Sequence, residues 1–245
     1  MRIANCYNNI KTSSPSFGYY HTVGKYSNDN PYFTTTEFFR DDLDWDGVCY
    51  YVDNFYKNTP KVNLICYGCS DGEETYSLSL KLKTNLRQNS KKYYPIIAKD
   101  IDKDCVNLAK RGRYKISERE SEKIDMACGP NVYRYMDIFS DGLEKHARAR
   151  SILKNDIIFS QADICEDIDN IPAENTVLVC RNFWGYLTRS KQKELAENLG
   201  KKLKDNSHVI IGTFDKLYGI DLLLEQNGFE QTEIEGVMKK RDKYI

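Results

Sequence analysis

Residues 65–77 read ICYGCSDGEETYS: an apolar run breaks at Gly68, turns through Asp71 and Gly72, and resumes as EETYSLSLKL with apolar side chains at helical spacing. A strand, a tight turn and a helix in that order belong at the carboxyl edge of a parallel sheet, where open α/β sheets bind ligands. Three uses of such a turn compete. A dinucleotide loop needs glycines spaced so that a pyrophosphate can reach the backbone and rest on the helix N-terminus. Here the helix starts instead with Glu73 and Glu74, which suit the helix dipole and repel phosphate. A metal or redox pair at Cys66 and Cys69 finds no second Cys-x-x-Cys, and His21, His146 and His208 stand apart from one another. A phosphate-free adenosine cofactor with a positive centre fits best. Both acids also make good helix caps, and for Glu74 the two readings stay open.

Outward from this turn, from about residue 61, apolar runs alternate with helical patterns, as a parallel sheet with crossover helices requires. Strands are expected at 62–67, 94–98, 156–160, 176–180 and 208–214, and the class is α/β. A last helix at IDLLLEQNGF leads into EIEGVMKKRDKYI, which reads as an edge strand. Residues 61–245 form the main domain, and 117–155 reads as a charged, irregular insertion. Residues 1–60 are a short N-terminal extension, polar until TTTEFFRDDLDWDGVCYYVDNFYKN, where a helix or two fit. A chain of 245 residues can bury one sizeable core.

Composition excludes several functions. Lysine plus arginine (36) equals aspartate plus glutamate (36), so the broad basic field of a nucleic-acid binder is absent. No apolar run approaches the ~20 residues of a membrane span, so no direct membrane insertion is expected. MRIANCYNNIKTSS lacks a signal peptide's apolar core, and a cytoplasmic protein is expected. The eight cysteines are scattered and read as free, mostly buried thiols, with Cys66 in the core and Cys69 lining a cofactor. No metal site is expected. At the end of the second strand, IIAKDID presents Asp100 and Asp102. A carboxylate at that place can accept both ribose hydroxyls, and it can equally cap the next helix.

Five stretches in order, TTTEFFRD (34–41), GCSDGEETYS (68–77), AKDIDKDCVNLAKRGRY (98–114), IIFSQADI (157–164) and VCRNFWGYL (179–187), resemble the CheR family of chemotaxis receptor methyltransferases. The resemblance spans about residues 30–215. It implies a Rossmann-like class I methyltransferase with a mostly parallel seven-stranded sheet and flanking helices. It further implies S-adenosyl-L-methionine as cofactor, S-adenosyl-L-homocysteine as product, and glutamates of a protein substrate, the cytoplasmic helix of a chemoreceptor, as acceptors.

Carried over by position, Thr36 and Arg40 match the family's N-terminal cofactor contacts, with Arg40 at the methionine carboxylate. Glu73 matches the acid at the methionyl amine, Asp100 the ribose acid with Ile101 beside it, and Gly68 and Cys69 the turn. Asp163 and Ile164 fall where the family has Asn-Leu against adenine. Arg181 and Tyr186 match the active-site arginine and tyrosine, and Asn182 supports the strand-end turn. Trp184 joins Tyr186 as an aromatic wall beside the sulfonium. On this reading Arg181→Ala spares the fold and the cofactor affinity and lowers only the rate.

Four departures accompany the match, the first being Asp163 in place of the family's Asn. The family's Ser-Thr-Gly-Glu-Glu-Pro is Ser-Asp-Gly-Glu-Glu-Thr here, and its Gly-His-Ser-Glu is Gly212, Thr213, Phe214 and Asp215. Only some thirty residues precede TTTEFFRD, so the family's N-terminal receptor-docking domain is expected to be reduced. The basic run KHARARSILK either replaces that docking surface or forms a solvated face.

Overall fold

A computed structural model describes residues 36–241 and, as backbone, two earlier strands, β1 (His21–Lys25) and β2 (Pro31–Thr34), which pair as an antiparallel hairpin. Expectations for 1–20, 26–30, 35 and 242–245 lie outside the described residues. Of the helix or two expected before residue 60, the described residues contain one, α1 (Trp45–Phe55). Asp44 starts it by accepting the Gly47 N–H at 2.9 Å, which satisfies one of the helix's orphan donors.

The quoted turn joins β3 (Asn63–Tyr67) to α2 (Glu73–Leu86), and β4 (Ile96–Asp100) feeds α3 (Lys103–Arg111). Next come β5 (Arg113–Ile116), α4 (Glu118–Cys128), β6 (Met136–Asp141), β7 (Glu144–Ala149) and the single turn α5 (Ser151–Lys154). The chain then continues through β8 (Ile157–Gln161), α6 (Ile164–Asp167), β9 (Thr176–Cys180), α7 (Arg189–Lys202) and β10 (His208–Ile210). It closes with α8 (Thr213–Leu217), α9 (Ile220–Gln226), β11 (Phe229–Gln231) and β12 (Val237–Lys240).

Seven of these strands form one sheet in the order β11-β12-β10-β9-β3-β4-β8. β10, β9, β3, β4 and β8 run parallel, and β12 lies antiparallel between β10 and β11. This is the α/β class read from the sequence pattern and the mostly parallel seven-stranded sheet that the family resemblance implies. Its order reverses between β3 and β9, which puts a crevice at the carboxyl ends of those two strands.

Both faces of the sheet are covered, which is why the strands read as unbroken apolar runs. Along β3, Leu64 and Cys66 enter one core with Trp45, Val48, Tyr76 and Leu80 of α1 and α2. Ile65 and Tyr67 enter a second core with Leu195, Leu199 and Leu223 of α7 and α9. The start of α2 depends on Gly72, whose φ is +98°; a Cβ there would lie 2.9 Å from Ala109 Cβ. The cysteines among the described residues are all free, and Cys165 alone of them is less than fully buried.

Three expectations are corrected. The segment at 117–155 is regular: it contains α4, β6 and β7, and β7 pairs with both β5 and β6 in a separate antiparallel sheet. Its high charge reflects one solvated face: in RYKI, Arg113 and Lys115 are exposed while Tyr114 and Ile116 are buried. Arg148 and Arg150, in the basic run, both pair with Asp137. Second, β12 is no edge strand; the edge is β11, three residues long and hidden in the sequence behind α9. Third, the run at 208–214 is strand only to Ile210, because Asp215 accepts the Gly212 N–H at 2.9 Å and turns Thr213 and Phe214 into α8.

His208, in β10, is fully buried, with Tyr56 Oη 2.9 Å from Nδ1 and Tyr51 Oη 3.2 Å from Nε2. Burial, with Lys239 nearby, lowers its pKa from 6.5 to about 3. The unfolded chain therefore takes up this proton first, and the residue's contribution, complete above pH 6.5, is lost as pH falls from 6.5 towards 3. Against His208→Gln, which does not titrate, urea midpoints measured from pH 7 to 4.5 should show wild type losing up to about 1.4 kcal/mol more per pH unit. Parallel pH profiles would refute a neutral buried imidazole.

Candidate functional site

At the carboxyl ends of β3, β4, β8 and β9 lies a cavity of about 320 Å³. Its floor follows from the quoted turn. Gly68 leaves β3 at φ +68°, and Ser70, also left-handed at +49°, aims its N–H back at the end of β4. There Asp100 accepts the Ser70 N–H at 2.7 Å on Oδ2 and the Asp102 N–H at 2.9 Å on Oδ1. Each oxygen keeps acceptor capacity for a hydroxyl donor. Burial raises the Asp100 pKa against the pull of those N–H groups. Asp102 lies outside the lining and caps α3 through the Asp104 N–H at 2.7 Å.

One wall comes from the end of β8 and the start of α6: Ala162, Asp163 and Ile164. Asp163 accepts the Cys165 N–H at 2.9 Å, so it caps the helix while facing the cavity. Tyr67 also lines the wall, and its hydroxyl donates to Asp167, which Lys99 engages as well.

The opposite wall is a buried ion cluster. The Arg181 side chain, following β9, is 0% exposed; its Nη1 donates to Glu74 at 2.6 Å and its Nη2 to Asp42. Asn182, left-handed at φ +61°, donates through Nδ2 to Asp42 at 3.1 Å and through its backbone N–H to Asp215 at 2.6 Å. Burial raises the Glu74 pKa, and Arg181 opposes the rise. Burial also takes the Asp215 carboxyl up to about 7, although the Gly212, Asn182 and Trp184 N–H groups pull it down.

Ten of the twelve residues expected around cofactor or acceptor are brought together here: Thr36, Arg40, Gly68, Asp100, Ile101, Asp163, Ile164, Arg181, Asn182 and Tyr186 all line the cavity, and Cys69 and Glu73 do not. Cys69 is 3% exposed and belongs to the α1–α2 core. Glu73 is also placed elsewhere. Adjacent helix positions point about 100° apart, so only one of the two acids can face the cavity. Glu74 does so, and Glu73 faces a second recess lined by Tyr114 and Glu120, where burial and the neighbouring acid Asp71 raise its pKa well above the usual range. Trp184, expected as an aromatic wall, is fully buried and donates to the Cys180 carbonyl at 3.0 Å. Phe183 and Phe214 line the cavity in its place. Asp42 carries no signal in the sequence, because no spacing rule joins it to a partner 139 positions away.

Ser70 Oγ, Arg181 Nε and Asn182 Oδ1 are buried without a hydrogen-bond partner, and all three residues line the cavity. Buried polar groups are normally satisfied. Donors and acceptors together, with Glu74, Asp100 and Asp163 against Arg40 and Arg181, fit a hydroxyl-bearing nucleoside joined to a zwitterionic, cationic tail. The residues present thus fit S-adenosyl-L-methionine. No cluster of His, Cys, Asp or Glu able to hold a metal ion occurs among the described residues.

The chain resembles known proteins along most of its length. Its relatives include a "Chemotaxis protein methyltransferase" of Borreliella burgdorferi, 25% identical over 153 residues, covering 62% of this chain and 51% of that one. The protein of the same name from Salmonella typhimurium is 26% identical over 143 residues, 58% of this chain and 48% of that one. The one from Campylobacter jejuni is 24% identical over 189 residues, 74% and 63% of the two chains. This chain therefore spans about half the length of the first two relatives. The model of the family described as "CheR methyltransferase, SAM binding domain" matches residues 34–232, from just before Thr36 to beyond the last cavity residue, and the chain belongs to that family.

Proposed function

We propose that this chain methylates a carboxylate of a protein, giving a methyl ester, with S-adenosyl-L-methionine as donor. The observation that carries the choice of acceptor is the character of the cavity lining. It contains arginines and carboxylates but neither histidine nor lysine. A carboxylate acceptor, pKa about 4.3, is ionised at neutral pH and needs no base, whereas an amine or hydroxyl does.

The bound cofactor supplies an electrophilic methyl carbon on a sulfonium. Asp100 is suited to the ribose hydroxyls, Asp163 and Ile164 to the adenine, and Glu74, Arg40 and Thr36 to the amino-acid tail. Arg181 has both terminal nitrogens engaged by Asp42 and Glu74, so its charge is largely neutralised before an acceptor arrives. It can position a carboxylate through Nε without quenching it. Tyr186, Phe183 and Phe214 exclude water from the nucleophile's approach. The relatives' name supports a role in chemotaxis, and the family resemblance supports chemoreceptor glutamates as acceptors.

The product tests this directly. Incubated with methyl-labelled cofactor and a protein substrate, the enzyme should yield label that mild alkali releases as methanol. Counts that survive alkali would place the methyl on nitrogen and overturn the carboxylate assignment.

A further inference from the structure

An aromatic row leads out of the cavity. Tyr186 and Phe214 line its mouth with ring centroids 6.1 Å apart, and Tyr218 meets Phe214 edge-on at 5.1 Å. Gly185 makes this possible, since a Cβ there would lie 2.6 Å from Tyr218 Cε2 and 2.7 Å from Phe214 Cε1. Beyond the row, Leu217, at the end of α8, is 81% exposed, Tyr218 38%, and Leu222, on the adjoining α9, 58%, with Lys216 and Asp221 partly exposed beside them. Single exposed leucines need no explanation, but several exposed apolar side chains on and between two short helices, the first of which carries the cavity-lining Phe214, mark a docking surface. Two exposed cations lie on the neighbouring segment, Arg189, which donates to the Tyr218 carbonyl at 2.8 Å, and Lys191.

We propose that the ledge formed by Phe214, Leu217, Tyr218 and Leu222 docks the polypeptide that carries the acceptor carboxylate, and that this segment is acidic with apolar side chains flanking its acceptor glutamate. The proposal rests on the methyl-ester reading for the identity of the occupant. A small free acid would fill the cavity and leave the ledge uncovered. A polypeptide entering at Tyr186 must cross the ledge, where its apolar side chains cover the leucines and its further acids meet Arg189 and Lys191. The ledge thereby selects which glutamate reaches the site.

The test uses Leu217→Ser/Leu222→Ser, two surface changes outside the cavity. The probe is a fluorescent synthetic peptide with one glutamate flanked by leucines and further acids, compared with the same peptide carrying serines for leucines. With S-adenosylhomocysteine present, anisotropy should show the leucine peptide binding the double variant about tenfold more weakly than wild type. The serine peptide should bind both proteins equally, and S-adenosylhomocysteine affinity should be unchanged. Equal binding of the leucine peptide by the two proteins, or none by wild type, would overturn the proposal. So would sedimentation showing that wild type self-associates through these leucines while peptide binding ignores them. Wild type that binds the leucine peptide yet forms no alkali-labile product refutes the ester reading and leaves the docking surface in place.

Discussion

Arg181→Ala is expected to lose about 3–5 kcal/mol of folding stability, the usual consequence of deleting one partner of a buried ion pair. The sequence alone predicts a loss of rate with the fold intact. Two carboxylates, Asp42 and Glu74, share this guanidinium, whose side chain is 0% exposed. Its removal strands both acids, and burial then drives Glu74 towards its neutral form. Urea denaturation monitored by circular dichroism measures the loss. Removing all three charges together, as Arg181→Met with Asp42→Asn and Glu74→Gln, should cost less than Arg181→Ala alone, because no stranded charge remains. Tyr186→Phe should leave stability unchanged and lower only the transfer rate. If Arg181→Ala proves as stable as wild type, the ion cluster is not a structural element.

Asp100→Ala should weaken S-adenosylhomocysteine binding by about 1–3 kcal/mol, the range for losing hydrogen bonds to a charged group. Part of the effect is indirect, since the carboxylate also anchors the Ser70 and Asp102 N–H groups that shape the cavity floor. Asp102→Ala separates the two contributions. It removes the cap of α3, which costs about 1 kcal/mol of stability, and should leave affinity close to wild type. Calorimetric titration of both variants decides, and undiminished affinity in folded Asp100→Ala would remove this residue from the ribose site.

What could be read from the sequence followed from local periodicity. The quoted turn was legible as strand, turn and helix because glycines mark its bends and both neighbours are long and apolar. The exposed–buried alternation in RYKI and EKHARA was present in the text, but the charges obscured it, and the insertion looked irregular. β11 escaped because three residues carry too little pattern to separate from the end of α9. The choice between Glu73 and Glu74 could not be made from spacing, because both occupy the first turn of one helix and tertiary packing decides which faces the cavity. Asp42 was beyond reach for a different reason: its partners are distant in the chain, and no periodicity reports contacts of that range.

That separation shapes how the cavity assembles. The Asp42–Arg181 contact closes a loop of 139 residues, and Glu74–Arg181 one of 107. Entropy opposes closures of this length until the intervening sheet has formed and brought the ends together. The strands can therefore collapse while residues 36–44 are still unattached, and the Asp42–Arg181 contact is expected to close after the sheet that carries Arg181.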